Sequence, residues 1–194
     1  MGWNSNHDYF WIYRIEEKVK RSILFLTFVL IIFISIILFI FLIKEKDPNK
    51  PPSALLDKET PEFELINLFD ENENFSKKDF KNKKVLINFF ASWCTPCKKE
   101  HPLLMKIKNN NNNSLIIVGV DFKDKKEDAL KFLLENGNPY HFVGFDDTGS
   151  VGLEFGVFGL PETFIINNDG KIIYKHIGPI TKKILSDEIL PLLK

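Results

Sequence analysis

Hydrophobic residues form one long unbroken stretch near the start of the chain. Ser22 to Ile43 contains 22 residues without a charge and consists almost wholly of Ile, Leu, Phe and Val. As a helix rising 1.5 Å per residue it would be roughly 33 Å long, enough to cross a hydrocarbon core of about 30 Å. A cleaved signal peptide is the alternative, but its apolar region has only about 7 to 15 residues, and no small-x-small cleavage site follows Ile43. The pattern therefore predicts an uncleaved transmembrane anchor at 22–43.

Positive charges are equally numerous on the two sides of this stretch. Arg14, Lys18, Lys20 and Arg21 precede it, and Lys44, Lys46, Lys50 and Lys58 follow it. The number of positive charges therefore does not decide the orientation by the positive-inside rule. The tighter clustering of Lys18, Lys20 and Arg21 against the stretch favours a cytoplasmic N-terminal segment at 1–21.

Residues 44–60 are polar and rich in proline, with Asp47-Pro-Asn-Lys-Pro-Pro-Ser53 at their centre. Such a stretch cannot pack a core and is typical of a spacer. The folded domain is predicted at 61–194, a length that can bury about two thirds of its unfolded surface without staples. Inside it, the asparagine run at 109–113 predicts a surface loop.

Shorter apolar runs in 61–194 alternate between strand and helix patterns. Lys84–Phe90 and Leu115–Val120 are almost continuously apolar and rich in strand formers, as expected of strands buried on both faces. The segment between them, 97–108, predicts a helix that Pro102 kinks, because proline removes a backbone donor and clashes with the preceding turn.

The remaining elements complete a regular order. We predict a short strand at 63–66, a helix at 124–136 ended by Gly137, a hairpin of 163–166 and 171–175 around Asn167–Gly170, and a helix at 181–193 capped by Thr181. The order βαβ, helix, ββα predicts an α/β fold with a mixed sheet covered by helices on both faces. This is the order of thioredoxin-like domains.

Charge and cysteine content narrow the possible functions. The chain has 26 Lys and Arg against 26 Asp and Glu, so no net field would draw it to nucleic acid. Two cysteines are too few for a disulfide-stapled miniature fold or for a four-cysteine zinc site. Function must therefore be sought in local sites.

Cys94 and Cys97 are the strongest chemical signal in the sequence. Cys94 directly follows a predicted buried strand and opens a helix, where unpaired N–H groups and the helix dipole stabilise a thiolate nucleophile. Cys97 is placed to resolve a mixed disulfide. A structural staple is the alternative, but closing so short a loop removes only about 2 kcal/mol of unfolded-state entropy. Zinc would need His101 or His176 as further ligands.

Residues next to the pair refine this interpretation. Pro96 has a fixed φ and no donor, so it preserves the tight turn while its neighbours supply donors to the thiolate. Trp93 is interpreted either as an anchored surface aromatic or as a substrate contact that shields the sulfur. Statistics for X–Pro bonds favour a trans peptide at Leu160–Pro161, because only about 5 to 6% of such bonds in folded proteins are cis.

Asn88 and Glu100 bear on how Cys97 loses its proton. Asn88 is the single polar residue between Val85 and Phe90, at a position where generic thioredoxins carry a buried acid that helps deprotonate the second cysteine. Glu100, three residues after Cys97, is the candidate replacement: a partly buried carboxylate with a raised pKa could shuttle this proton. A solvated helix glutamate is the alternative, and His101 beside it is expected to be exposed.

Longer motifs in 61–194 resemble the cytochrome c biogenesis thiol:disulfide interchange proteins, the CcmG/DsbE branch of membrane-tethered thioredoxin-like proteins. The resemblance rests on Trp93-Cys-Thr-Pro-Cys97 followed by Lys99-Glu-His101, on Gly137-Asn-Pro-Tyr140, and on Phe155-Gly-Val-Phe-Gly-Leu-Pro-Glu-Thr163. Phe158 departs from the tyrosine that is common in the branch.

The resemblance implies an oxidoreductase that works as a reductant. It implies a single-pass anchor in the inner membrane, a catalytic domain in the periplasm, and a cis peptide at Leu160–Pro161 beside the dithiol that pairs with an extended peptide. Cys94, Cys97 and Glu100 would be catalytic, and Trp93, Pro96, Leu160 and Pro161 would bind substrate. The implied partners are apocytochrome c or a cytochrome maturation thiol protein, and a membrane electron carrier as donor. No cofactor and no metal are implied.

Two other functions stay open from the sequence. A general periplasmic dithiol oxidase would use the same pair, although such enzymes usually enclose a Pro-His dipeptide that is absent here. A non-catalytic tethered module could hold unfolded cytochromes through the Pro161 groove.

Overall fold

The computed structural model describes residues 5–43, 55–110 and 115–193, and its first element is one long helix. Helix α1 runs over Ser5–Ile43, and its stretch Lys18–Ile40 is long and apolar enough to cross a membrane. The side chains of 18–40 are exposed throughout. This confirms the apolar helix expected at 22–43, and its length and composition fit a membrane span.

A seven-stranded mixed sheet forms the centre of the following domain. The strands are β1 (Glu64–Asn67), β2 (Asn74–Ser76), β3 (Lys84–Phe90), β4 (Leu115–Phe122), β5 (Phe142–Asp146), β6 (Glu162–Ile166) and β7 (Ile172–Ile177). They lie in the order β2-β1-β5-β4-β3-β6-β7. The pairs β3–β4 and β4–β5 are parallel, and every other neighbouring pair is antiparallel.

Helices connect and cover the strands. They are α2 (Thr95–Asn109), α3 (Lys126–Asn136), the short α4 (Ser150–Glu154), and a C-terminal set of α5 (Lys182–Ile184), a π-helical turn (Leu185–Ile189) and α6 (Leu190–Leu193). A 3₁₀ turn, Lys77–Phe80, precedes β3. The expected thioredoxin-like mixed sheet flanked by helices is confirmed.

Alternation along β3 separates the two hydrophobic cores. Because successive side chains of a strand point to opposite faces, Leu86 and Phe90 pack with the core that also contains both cysteines. Ile87 and Phe89 pack into the other core, which is rich in phenylalanine. Asn88 has the parity of Leu86 and Phe90, so its polar side chain points to the face where the cysteines lie.

Most predicted elements are present, and several short ones were not predicted. The strand at 84–90 has the predicted bounds, and Thr181 caps the last helical region through its hydroxyl, as expected. Strands β2 and β5, helix α4 and the 3₁₀ turn were missed, since each has only three to five residues and shows no full period of a hydrophobic pattern. The C-terminal helix, expected to be continuous, contains a π turn.

Part of the predicted spacer is attached to the β6–β7 hairpin. The backbone N–H of Asp57 donates to Ile172 O at 2.9 Å, and that of Thr60 donates to Gly170 O at 2.9 Å. The rest of the spacer, 44–54, and residues 111–113 of the asparagine run lie outside the described residues.

Candidate active site

The two cysteines lie at the amino end of α2 and are joined by a disulfide. Cys94 is the N-cap residue of the helix, its backbone is extended, and its Sγ accepts the backbone N–H of Cys97 at 3.1 Å. Both cysteines are buried to 3% exposure. Capping places the Cys94 sulfur at the positive end of the helix dipole, which favours a thiolate once the disulfide opens.

Asn88 organises a buried polar network beneath the cysteine helix. Its Nδ2 donates to Glu100 Oε1 at 2.8 Å and to Thr163 Oγ1 at 3.0 Å. Its Oδ1 accepts the hydroxyl of Tyr140 at 2.8 Å. Strand β3, helix α2, strand β6 and the loop before β5 are thereby connected through one side chain whose polar groups are all satisfied.

Glu100 is buried at 1% exposure, so a solvated side chain is excluded. One carboxylate oxygen accepts from Asn88, and Oε2 accepts the backbone N–H of Ile180 at 2.6 Å. Burial raises its pKa to about 7, against the opposing effect of these two hydrogen bonds. Near neutral pH the carboxyl group is therefore poised both to take and to give a proton, three residues after Cys97 on the same helix.

His101 is buried, and the expectation that it is exposed was wrong. Its exposed fraction is only 4%, because its ring packs edge-on against Phe132 with a 4.9 Å centroid distance and its Nε2 lies 2.9 Å from Gly137 O. Burial lowers its pKa, which favours the neutral ring with Nε2–H donating to the carbonyl. Its contacts are those of a core residue.

The loop before Cys94 is anchored to the segment that follows β4. Asp124 accepts both the backbone N–H of Ser92 at 2.5 Å and its hydroxyl at 3.0 Å. Trp93 Nε1 donates to Lys123 O at 3.1 Å, while 58% of the residue remains exposed. Pro96 is exposed in the first turn of α2. The tryptophan is thus fixed in place with a large apolar surface still open to a partner.

The Leu160–Pro161 peptide bond is cis, as the resemblance implied and against the general statistics of X–Pro bonds. Pro161 directly precedes β6, which pairs with β3 in a register that sets Glu162 opposite Phe89. Since β3 leads into the cysteine loop, the cis peptide is at the same end of the sheet. Leu160 packs against the core that contains both cysteines.

A buried ion pair holds the loop that leads to Pro161. Glu162 Oε1 accepts the backbone N–H groups of Phe158 at 2.9 Å and Gly159 at 3.4 Å. Its Oε2 lies 2.9 Å from Lys175 Nζ, which also donates to Gly156 O at 2.8 Å. The role of Glu162 could not be predicted from its local sequence, because Lys175, which pairs with it, comes from the neighbouring strand β7.

Asp121 is a buried acid near the site that the sequence analysis missed. It pairs in register with Phe90, the last residue of β3, and neither carboxylate oxygen has a hydrogen-bond partner within the described part of the chain. Burial, followed by the neighbouring Asp124, raises its pKa to about 8. Strand β4 continues to Phe122, whereas the predicted strand stopped at Val120, so Asp121 was left outside it.

Comparison with protein families and curated proteins gives consistent matches. The redoxin family model matches residues 56–189. The thiol:disulfide interchange protein HelX of Rhodobacter capsulatus is 40% identical over 154 residues, which cover 79% of this chain and 85% of HelX. The thiol:disulfide interchange protein DsbE of Pseudomonas aeruginosa is 36% identical over 174 residues, covering 90% of this chain and 94% of DsbE.

Solved structures agree with these relatives. A protein of Chlorobium tepidum described as a DsbE thiol:disulfide interchange protein superposes with a TM-score of 0.62 at 30% identity. The match covers 72% of this chain and 99% of the other. Fold, sequence and cysteine geometry therefore point to the same group of proteins.

Proposed function

Because this chain belongs to the redoxin family and, within it, to the DsbE/CcmG thiol:disulfide interchange proteins, we propose that it reduces a disulfide of apocytochrome c or of a thiol protein that matures it. The chain is a thiol:disulfide oxidoreductase with its redox centre at Cys94 and Cys97. The observation that carries the proposal is the capping geometry of Cys94, whose sulfur accepts the N–H of Cys97 on the same helix as the buried carboxyl group of Glu100.

The proposed reaction has two exchange steps. The Cys94 thiolate attacks one sulfur of the substrate disulfide, forming a mixed disulfide, and the other substrate sulfur leaves as a thiolate that takes up a proton. Cys97 then loses its proton and attacks Cys94 Sγ. The second substrate sulfur leaves as a thiol, and the Cys94–Cys97 disulfide seen in the structure remains. Two electrons pass from the dithiol to the substrate.

Glu100 is the proposed acceptor of the Cys97 proton. A carboxylate whose pKa is about 7 accepts a proton from a thiol more readily than a carboxylate with the ordinary pKa of 4.5 does. The resulting carboxylic acid can then return the proton to the leaving thiolate. Asn88 and Ile180 hold the two carboxylate oxygens, so the group keeps one orientation during this exchange.

The proposed substrate surface consists of Trp93, Pro96, Leu160 and Pro161. The exposed ring of Trp93 would supply apolar contact, and the backbone of Leu160 would pair with an extended substrate segment. Replacing Trp93 by Ala should raise KM for a protein disulfide and leave KM for a small disulfide such as oxidised glutathione unchanged. Equal effects on both substrates would contradict a contact role, and Phe69→Ala, which removes a half-exposed ring from the β1–β2 connection, is the control.

The proposed location is the inner membrane, with α1 as a single-pass anchor and the domain that follows in the periplasm. The uncharged stretch 22–43 of this helix and the length of its apolar part support the anchor. A membrane electron carrier would then regenerate the dithiol after each cycle. The orientation is tested by treating intact cells that contain the reduced protein with a membrane-impermeant thiol reagent. If the domain is in the periplasm, the reagent should label Cys94 without lysis of the cells.

Trapping the mixed disulfide tests the substrate directly. Replacing Cys97 by Ala removes the resolving thiol, so complexes through Cys94 should accumulate and release their partner on reduction. We expect mass spectrometry of the captured protein to identify apocytochrome c or a thiol protein of its maturation. The double variant Cys94→Ala, Cys97→Ala is the control. Capture of many unrelated secreted proteins would instead support a general oxidase, and binding without any disulfide complex would support a non-catalytic module.

A further inference from the structure

Five lysines are concentrated at the amino end of β3, far from any residue used in the reaction. Within 77–84 they are Lys77, Lys78, Lys81, Lys83 and Lys84, and the same stretch contains one acid, Asp79. We term these five lysines the basic end. Lys78, Lys81 and Lys83 are exposed.

A cavity of about 320 Å³ opens beside the basic end. Its apolar wall consists of Phe63, Phe80, Val85 and Ile166, and its rim includes Lys77, Lys78 and Lys81. An apolar wall beneath a rim of ammonium groups suits a ligand with a negative group next to a hydrocarbon part.

The acids near the basic end offset only part of its charge. Glu62 lies 2.6 Å from Lys77 Nζ. Asp79 accepts hydrogen bonds from the backbone N–H and the hydroxyl of Ser76 in a capping box. Glu59 and Asp169 also lie on the cavity rim. Within the part of the chain that the structure describes, the ammonium groups of Lys78 and Lys81 take part in no ion pair.

The basic end and the dithiol lie at opposite ends of one strand. Lys84 begins β3, Phe90 ends it, and Cys94 follows, so about 20 Å of strand separates the two features. The chain arriving from the N-terminal helix joins the domain at the basic end: Thr60 hydrogen-bonds to Gly170 O, and Lys77 Nζ donates to Thr60 O at 3.1 Å.

We propose that the basic end docks on anionic phospholipid headgroups of the bilayer that holds the anchor. This inference rests on the proposed membrane anchoring. Only residues 44–54 lie between Ile43 and the first described residue of the domain, Leu55, and they span at most about 40 Å when extended. The tether therefore keeps the basic end within reach of the headgroups. A domain held by this end presents Cys94 and Trp93 on the side away from the membrane.

Lysine acetylation of the full chain in vesicles tests the docking. The chain is reconstituted in vesicles of phosphatidylcholine alone or of phosphatidylcholine and phosphatidylglycerol in equal amounts, treated with a water-soluble acetylating reagent, and analysed by mass spectrometry. Each lysine near an anionic surface contributes about a fivefold preference for it. The labelling rate of Lys78, Lys81 and Lys83, divided by that of Lys99 and Lys125, should thus fall about fivefold or more in the anionic vesicles and recover in high salt.

Charge reversal identifies the lysines that carry the effect. In the variant Lys78→Glu, Lys81→Glu, the relative labelling of Lys83 should become equal in the two vesicle types. The matched variant Lys99→Glu, Lys125→Glu reverses two exposed lysines at the dithiol end. With Lys98, which is also exposed there, as the reference lysine, this variant should keep the protection of Lys83.

The outcomes separate docking from anchoring. A chain that does not float with phosphatidylcholine vesicles would contradict the anchor and, with it, this inference. A chain that floats but shows equal relative labelling in both vesicle types would contradict the docking alone. Protection by free inorganic phosphate in neutral vesicles would also contradict it, since the site would then take a soluble anion.

Discussion

The amide of Asn88 donates a 2.8 Å hydrogen bond to the carboxylate of Glu100 inside the domain core. Neither residue is accessible to solvent, and the bond connects the strand that leads to Cys94 with the helix that carries Cys97. The donated bond favours the ionised carboxylate, and the bonds of the same amide to Thr163 and Tyr140 fix its orientation. We expect this pairing to hold Glu100 in place for the proposed exchange of the Cys97 proton.

Glu100→Gln should slow disulfide reduction by about 100-fold, at the low end of the range for general acid–base catalysis, with little change in substrate binding. The native rate should change through pH 7, where the pKa of Glu100 lies, and the variant should lose this inflection. Stopped-flow reduction of a protein disulfide at about pH 6 to 8 measures both effects. An unchanged rate over this range would contradict the role, and Glu127→Gln, at an exposed acid of α3, is the matched control.

Asp121 should make the domain less stable at high pH. Since its folded-state pKa is raised from 3.8 to about 8, its contribution to stability is fully present below pH 3.8 and is lost as pH rises through 8. Asp121→Asn removes the ionisation, so urea unfolding should show a smaller loss of stability between about pH 6 and 9 than in the native protein, by about 1 to 3 kcal/mol. The same pH dependence in both proteins would refute this account; Asp128→Asn, at an exposed acid, should leave it unaltered.

Lys175→Met should destabilise the domain by about 3 to 5 kcal/mol, because it leaves the buried carboxylate of Glu162 without its counter-charge. Adding Glu162→Gln should recover part of the loss. Lys131→Met breaks an exposed pair with Glu135 at 4.0 Å and should cost less than about 1 kcal/mol. Chemical unfolding of the native protein and these three variants measures the losses of stability. Equal losses for Lys175→Met and Lys131→Met would show that burial of the Lys175–Glu162 pair is unimportant.

Gly119→Ala should disturb the polar network through Tyr140. A Cβ at this position would lie 2.6 Å from Tyr140 Cδ2, and the Tyr140 hydroxyl donates to Asn88. We expect a loss of about 1 to 3 kcal/mol in unfolding free energy from overpacking. Gly159→Ala meets no atom within 4 Å and serves as the control. A variant of Gly119 as stable as the control would mean that the ring of Tyr140 moves without cost.

Elements with a complete hydrophobic pattern could be predicted from the sequence. The segment Lys84–Phe90 was predicted as a strand with its observed bounds, since an almost continuously apolar run of strand formers is typical of a strand buried on both faces. The predicted strand at 115–120 ended two residues early because the apolar run ends at Val120, before the charged Asp121. Its burial depends on strands β3 and β5 on either side, which no local pattern shows.

The candidate site was predictable where chemistry is local in sequence. Cys94, Cys97 and Glu100 lie within seven consecutive residues at the start of α2, so the local sequence was enough to propose their roles. His101, next in the chain, was misjudged because Phe132 and Gly137, which bury it, come from a distant helix and its end. The hydrogen bond from Tyr140 to Asn88 joins residues 52 positions apart, so it could be identified only in the folded structure.

The reduction potential of the Cys94–Cys97 couple decides whether this protein works as a reductant or as an oxidant. Equilibrating the domain with a series of glutathione redox buffers and separating dithiol from disulfide gives its value. A reductant requires a potential well below the roughly −120 mV of the oxidase DsbA, toward the −270 mV of thioredoxin. A value at or above about −120 mV would mean that the pair oxidises its partners and would contradict the proposed function.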